Sequence, residues 1–339
     1  MAWRHGTWTV EHELPFGAAD RAELGAPVVA GDVLASGSVF GAATIVRGAR
    51  QVGVPVEQLG AVQRTALGAT VTRGTLLAGT GQRFSRSATA PFDGRLIHVT
   101  AEGDFVCAPV LGQWLVRATL DGRVVRSDPA VVTVEGSAWC LAGLAGYGPD
   151  AVGELGLAVD APMDELAPAR IDVRLRGKIL VGGARMAAEA ITRAHACGAA
   201  GVIAGAAPAG GLRVVYGDDV TADGLATRDD RPTVLCLVGF GTATLPDEIF
   251  RPLVGFEGSR AAIHTASARL FVFAPEDNTP ADEPPAIALA DDHSGVRPLG
   301  SPGELAGVVR FPSEVECEAL ATESGMVPLA NVLAFDAKR

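Results

Sequence analysis

Residues 176–205 read RGKILVGGARMAAEAITRAHACGAAGVIAG. Ile179, Leu180 and Val181 form a short apolar run between Gly177 and Gly182, the pattern of a strand covered on both faces. Met186, Ala187, Ala190, Ile191, Ala194 and Cys197 then recur at helical spacing and mark one apolar stripe. Gly198 is a fitting stop, with Arg193 and His195 in the last turn, where the helix dipole favours positive charge. Gly201-Val202-Ile203-Ala204 is a second apolar strand. The stretch is a βαβ unit, so its two strands should run parallel with a right-handed crossover.

Downstream the same logic recurs. Thr233–Val238 is a buried strand, Gly239-Phe240-Gly241 turns the chain, and Pro246 with Asp247 and Glu248 opens a helix through Phe250 and Leu253. Arg260–Ile263 and Ala268–Phe273 return as strands, and Leu155–Val159 is the first strand of the unit. Between them, residues 206–231 are long, polar and glycine-rich, either a functional loop or a partly ordered crossover. Open α/β sheets bind ligands at strand ends, which makes Gly182, Gly183, Gly239 and Gly241 the candidate ligand-binding residues. Backbone N–H groups there could hold an anion, or the glycines could serve only as tight turns. Neither a dinucleotide fingerprint nor a P-loop is present. "GKILVGG…AHACGAAGVIAG" resembles the signature of swivelling-type β/α domains of the protease-associated kind, which are mostly non-catalytic binding modules.

The first half holds an internal repeat. Residues 25–35 (GAPVVAGDVLA) and 68–78 (GATVTRGTLLA) share the pattern G-A-x-V-x-x-G-x-x-L-A, a glycine turn between short strands that send Val and Leu inward. Pro91 and Asp93-Gly94 make a further turn before a strand. This hairpin and the Ala90-Pro91-x-x-Gly94 turn resemble the barrel-sandwich hybrid of biotinyl and lipoyl carrier domains, over residues 25–106. Carriers need a lysine at an exposed hairpin tip, and the chain has two lysines, Lys178 and Lys338. The resemblance therefore implies a scaffold and not a swinging-arm carrier. Residues 49–67 read as a short helical or irregular insertion. Leu115–Leu120 and Arg123–Val125 read as a hairpin around Asp121-Gly122, Val131–Val134 as a strand ending in a turn at Glu135-Gly136, and 143–150 as a glycine-rich loop.

Trp3, Trp8 and Val10 alternate like an edge strand. Glu11-His12-Glu13 are metal-ligand types, but adjacent strand residues point to opposite faces and cannot easily converge. At the other end, residues 274–295 hold four prolines, six acidic residues and no basic ones, the composition of a solvated linker. Residues 296–339 contain short strands at Gly307–Phe311 and Val327–Leu333 around turns at Pro302-Gly303 and Ser324-Gly325, and resemble an SH3-like barrel of the KOW type. Taken whole, the order resembles a group of uncharacterised bacterial proteins that combine a biotinyl/lipoyl-like half, a small α/β domain and a KOW-like tail.

The fold class expected is α+β multidomain. It comprises a β-rich barrel-sandwich-hybrid-like region at 1–146, a small α/β domain with a parallel βαβ unit at 147–273, the linker at 274–295 and an SH3-like module at 296–339. A formal net charge of −11 argues against a nucleic-acid surface. Five widely spaced cysteines without a C-x-x-C give neither a zinc knuckle nor a redox pair. The N-terminus lacks a signal-peptide core and no apolar run reaches a membrane span, so a cytoplasmic location is expected. No catalytic residue, metal set or cofactor is assigned. The functional expectation is a non-enzymatic scaffold or protein-binding subunit with a protein partner; the alternative is a small-molecule or anion-binding protein, or an enzyme, using the glycine turns.

Overall fold

The computed structural model describes residues 3–79 and 86–275, together with backbone strands at 296–298, 303–310, 316–322, 325–328 and 332–334. Residues 276–295 of the acidic linker, the turn residues Pro302 and Ser324, and the acidic side chains of the tail lie outside the described residues. The protein is strand-rich with few helices, an α+β architecture with mixed sheets. No helix among the described residues is long and apolar enough to cross a membrane.

Twelve elements position the site. They are β1 (Arg4–Glu13), β2 (Val131–Ala142), β3 (Ala145–Gly148), β4 (Ala151–Leu157), β5 (Lys178–Val181), α1 (Ala188–Ala196), β6 (Gly201–Ala207), α2 (Ala209–Tyr216), β7 (Val234–Phe240), α3 (Asp247–Gly255), β8 (Arg260–His264) and β9 (Arg269–Val272). The nine strands belong to one 14-stranded sheet, whose central path runs β3-β7-β6-β5-β4-β8-β9-β2. The β4, β5, β6 and β7 pairings are parallel, as the βαβ reading requires. Alternate residues feed two cores: Ile179, Val181, Ile203 and Leu237 join α3 on one face, while Leu180, Val202, Ala204 and Cys236 join α1 and α2 on the other. Helix α2 fills part of the long connection read at 206–231, and its Leu212 and Tyr216 are buried. The expected boundary between residues 146 and 147 falls inside β3, and the sheet continues on both sides of it.

Three local readings are corrected. Glu135-Gly136 is not a turn: β2 runs through it to Ala142. Gly136 is needed there because a Cβ would sit 1.8 Å from the Asp121 carbonyl oxygen, so the glycine permits a close backbone crossing inside a continuous strand. The hairpin read at 115–125 is two strands of different sheets: Val110–Arg117 pairs with Val33–Phe40, and Gly122–Ser127 pairs with β2 and Pro27–Val28. The glycine-rich stretch after residue 143 is no loop but the buried strand β3, in which a Cβ on Gly148 would lie 1.9 Å from the Pro232 oxygen.

The internal repeat has a structural meaning. Asp32 N–H donates to Val29 O and Thr75 N–H to Thr72 O across the two tight turns. Gly31 N–H donates to Ala118 O and Gly74 N–H to Ala90 O; Ala30 N–H is held by the Asp121 carboxylate and Arg73 N–H by that of Asp93. Each hairpin thus docks on its own A-x-x-D-G-R segment, 118–123 or 90–95. Leu34 and Leu77 are each fully buried, in separate cores.

Because the two leucines occupy equivalent positions, Leu34→Ala and Leu77→Ala should each cost about 2–5 kcal/mol in urea unfolding. A loss below about 1 kcal/mol at either position would contradict that equivalence.

Candidate functional site

Register first shows why β2 matters. His12 on β1 lies opposite Val132, near the start of β2, while Arg269 of the β8–β9 hairpin lies opposite Ala142 at its end. Ten residues of straight strand would span roughly 33 Å. Yet the His12 and His264 rings stand edge to face with centroids 5.3 Å apart. The sheet must therefore curl strongly along β2, and its concave side carries a cleft of about 490 Å³.

His12, Asp150 and His264 meet in this cleft, with one potential ligand atom from each lying within 4.8 Å of the others. Each arrives by a different route. Strand alternation buries His12 and leaves Glu11 and Glu13 exposed, so the three adjacent residues indeed do not converge. Asp150 precedes β4 and His264 ends β8; since Ala151 is opposite Ile263, extending the antiparallel register by one residue places Asp150 beside His264. Asp150 Oδ1 accepts from Thr265 N–H at 2.8 Å, which fixes the carboxylate over the β8–β9 turn. That turn includes Ala268, the one non-glycine residue at positive φ (49°) among the described residues.

The ring nitrogens are unequally used. His12 Nε2 lies 3.1 Å from Thr119 Oγ1 and 3.2 Å from Thr119 N. The hydroxyl can accept from a protonated Nε2, and the amide can donate to an unprotonated one, so Thr119 holds the ring in either neutral tautomer. His12 Nδ1 is buried without a hydrogen-bond partner. His264 Nδ1 is 2.7 Å from Ser267 Oγ, leaving Nε2 as its other ligand atom.

Burial, then the His264 ring, holds His12 down at about 4, against opposing pulls from Asp150 and from the Val132 and Val10 backbone. Burial, then Arg269, holds His264 at about 4, opposed by the Glu11 backbone. Both imidazoles are thus neutral at pH 7 and keep a lone pair for a Lewis acid. Asp150 presents surface to the cleft, yet protein atoms crowd its carboxylate enough for desolvation to raise it above the usual range. The Thr265 amide, His12 and Arg228 oppose that rise.

Two histidines and one carboxylate are a recognised set for a divalent transition metal with open positions. A tetrahedral zinc site would place ligand atoms about 3.3 Å apart. The candidate ligand atoms lie within 4.8 Å of one another, so side-chain adjustment on the order of 1–2 Å would bring them to that spacing.

The residues expected to bind a ligand lie elsewhere. Gly182 N–H donates to Ile203 O, Gly183 (φ 64°) packs under the Asp164 carbonyl, and Gly241 N–H donates to Ala207 O; Gly239 is buried in β7 opposite Ala206. The two turns are adjacent, since Ala243 N–H donates to Ala184 O, but they do not line the cleft. A second, more open cavity of about 510 Å³ is lined by Asp160, Arg170, Asp172 and Arg174. Four of its charges are already paired, Arg170 with Asp160 and Arg174 with Asp172, each at 2.5 Å, and the remaining Glu257 accepts from the Leu157 amide. Sequence reading met His12 by residue type but had no signal for Asp150 or His264, which lie 138 and 252 residues further on.

No protein-family model, no curated protein and no solved structure matches the chain.

The two buried histidines set a pH dependence. The unfolded chain protonates them near 6.5 and the folded one near 4, so their contribution is fully present above pH 6.5 and is lost as pH falls towards 4. Each is worth on the order of 3 kcal/mol over that window, and Asp150 offsets part of it with the opposite sign. Stability measured in urea from pH 7.5 to 4.5 should fall steeply in the wild type and less so in His12→Gln/His264→Gln. Parallel curves would refute the assignment.

Proposed function

We propose that the protein binds a divalent transition metal through His12, Asp150 and His264, and that the cleft around the ion is where it handles a small molecule. The observation that carries this reading is the convergence of two neutral buried histidines and a carboxylate, one histidine with a partnerless nitrogen, in a cleft large enough for a small ligand. Three protein ligands leave open positions, the arrangement of a catalytic and not a purely structural metal. At such a position a metal supplies Lewis acidity or an acidified water. The protein's own residues do the rest: Thr119 orients His12, Ser267 orients His264, and the Thr265 amide orients Asp150.

In this reading the N-terminal half is a scaffold. The twin docked hairpins at 25–35 and 68–78 support its likeness to a barrel-sandwich hybrid without an acceptor lysine, and the antiparallel strands 303–310, 316–322 and 325–328 support an SH3-like tail. A second reading, a protein-binding subunit without chemistry, is favoured by exposed apolar side chains around Val110 and Phe40. Phe16 and Leu111 are about 70% exposed there, and the Phe16 and Phe40 rings lie 6.4 Å apart. Loss of a co-purifying stoichiometric partner in Phe16→Ser/Leu111→Ser would favour that second reading.

Titration calorimetry of the EDTA-dialysed protein with Zn²⁺ should give one site. Thr119→Ala should weaken it about 10–100-fold, while His264→Ala and Asp150→Asn should weaken it further. Zinc binding of equal affinity in the Asp150 and His264 variants would overturn the reading.

A further inference from the structure

Three arginines line the same cleft: Arg117, Arg228 and Arg269. Each is anchored by a contact that leaves part of its guanidinium unused. Arg228 Nη2 donates to Glu13 O at 2.9 Å, Arg117 Nη1 donates to Gly31 O at 2.7 Å, and Arg269 lies over the Trp8 ring, 5.7 Å from its centroid. A guanidinium has five N–H donors, so donors remain on all three. None of the three forms an ion pair with a carboxylate within 4 Å among the described residues. Other described arginines, Arg73 and Arg213 among them, also lack an ion pair; what sets these three apart is that they share one cleft, in a chain of net charge −11.

Their placement relative to the metal set is informative. Arg269 is the cross-strand partner of His264, and Arg228 follows Thr227, whose N–H donates to Gly148 O two residues before Asp150; the two arginines, His264 and Asp150 all line the cleft, so one arginine stands by each of two members of the set. Two glutamates also border the cleft, but they lie on the strand face opposite His12, and Arg126 already reaches Glu11 at 3.9 Å. Asp150 shares the cleft with the arginines, and a bound cation would occupy its carboxylate. With the metal in place the local balance is positive, and the fixed forks of Arg228 and Arg269 match a planar or tetrahedral oxyanion.

We propose that the cleft is an oxyanion-recognition site: it takes a small molecule bearing a carboxylate or phosphate group, held by Arg228 and Arg269 beside the His12–Asp150–His264 set. This inference rests on the metal reading only for the ligand's position beside the ion; the arginine pair stands by itself. The Trp8 ring under Arg269 provides a reporter.

The test titrates inorganic phosphate and succinate separately into the full chain, following tryptophan fluorescence, once with metal-free protein and once with protein carrying one equivalent of Zn²⁺. Saturable binding is expected in the wild type. Arg228→Gln and Arg269→Gln should each weaken it about tenfold or more, and Arg228→Lys should restore only part of the affinity, because an ammonium lacks the fork. Melting temperatures without anion show whether each variant is folded, and the two arginines are anchored differently, so one variant can stand if the other fails. Absence of saturable binding in the wild type, or unchanged affinity in the folded variants, overturns the proposal. Zinc stoichiometry reads the metal separately. If zinc does not bind while phosphate or succinate binding still depends on Arg228 and Arg269, the metal reading falls and the oxyanion site stands.

Discussion

The structure depends on the backbone crossing at Gly136. Here the chain at Asp121-Gly122 passes so close to β2 that neither Gly122 nor Gly136 could carry a side chain; a Cβ on Gly122 would sit 2.0 Å from the Glu135 oxygen. The crossing lets one long strand serve two neighbourhoods. Its first part pairs with Gly122–Ser127 and its last with β9, while β1 follows it along the other edge. A sheet tied in this way must curl, and the curl brings the end of β1 to the tip of the β8–β9 hairpin. The candidate site is a consequence of that geometry.

The same constraint sets the energetic character of the site. Curling encloses His12 and His264, and enclosure removes water from two imidazoles that would otherwise titrate near neutrality. The buried Nδ1 of His12 is one of six buried side-chain atoms without a hydrogen-bond partner among the described residues, and such an atom costs about 1–3 kcal/mol. Such a cost is easier to understand at a position that gains a ligand than in a core built for stability alone. Thr119, which orients His12, belongs to the A-x-x-D-G-R segment that docks the first hairpin repeat, so the scaffold and the site share a residue.

How much was legible in the sequence follows from how local each signal is. The βαβ unit at 176–205 was readable because strand, turn and helix each declare themselves within a few residues, and Gly198 adopts the left-handed conformation its position implies (φ 81°). The repeat at 25–35 and 68–78 was readable for the same reason. Its partner segments at 90–95 and 118–123 carry an equally plain pattern, but Asp121-Gly122 in the second also suits a two-residue turn and so reads as a hairpin. Gly136, Gly146 and Gly148 looked like turn or loop glycines, whereas each lies where another backbone passes at contact distance, a relation no sequence window contains. The same applies to the site: His12, Asp150 and His264 lie far apart in the sequence, Asp150 and His264 becoming neighbours through the β4–β8 register and His12 joining them through the curl. The glycine turns drew attention because glycine-rich strand ends are a local signal, although the amides of Gly182 and Gly241 are used within the sheet.

The central claim is that the curled sheet assembles a metal centre from β1, the start of β4 and the end of β8. Anomalous scattering at the zinc absorption edge, from a crystal grown with one equivalent of Zn²⁺, tests it most directly. The account predicts a single strong peak about 2.0–2.2 Å from a ring nitrogen of His12, a ring nitrogen of His264 and a carboxylate oxygen of Asp150. Peaks only at surface residues, with the His12 and His264 rings still packed edge to face about 5 Å apart, would contradict it.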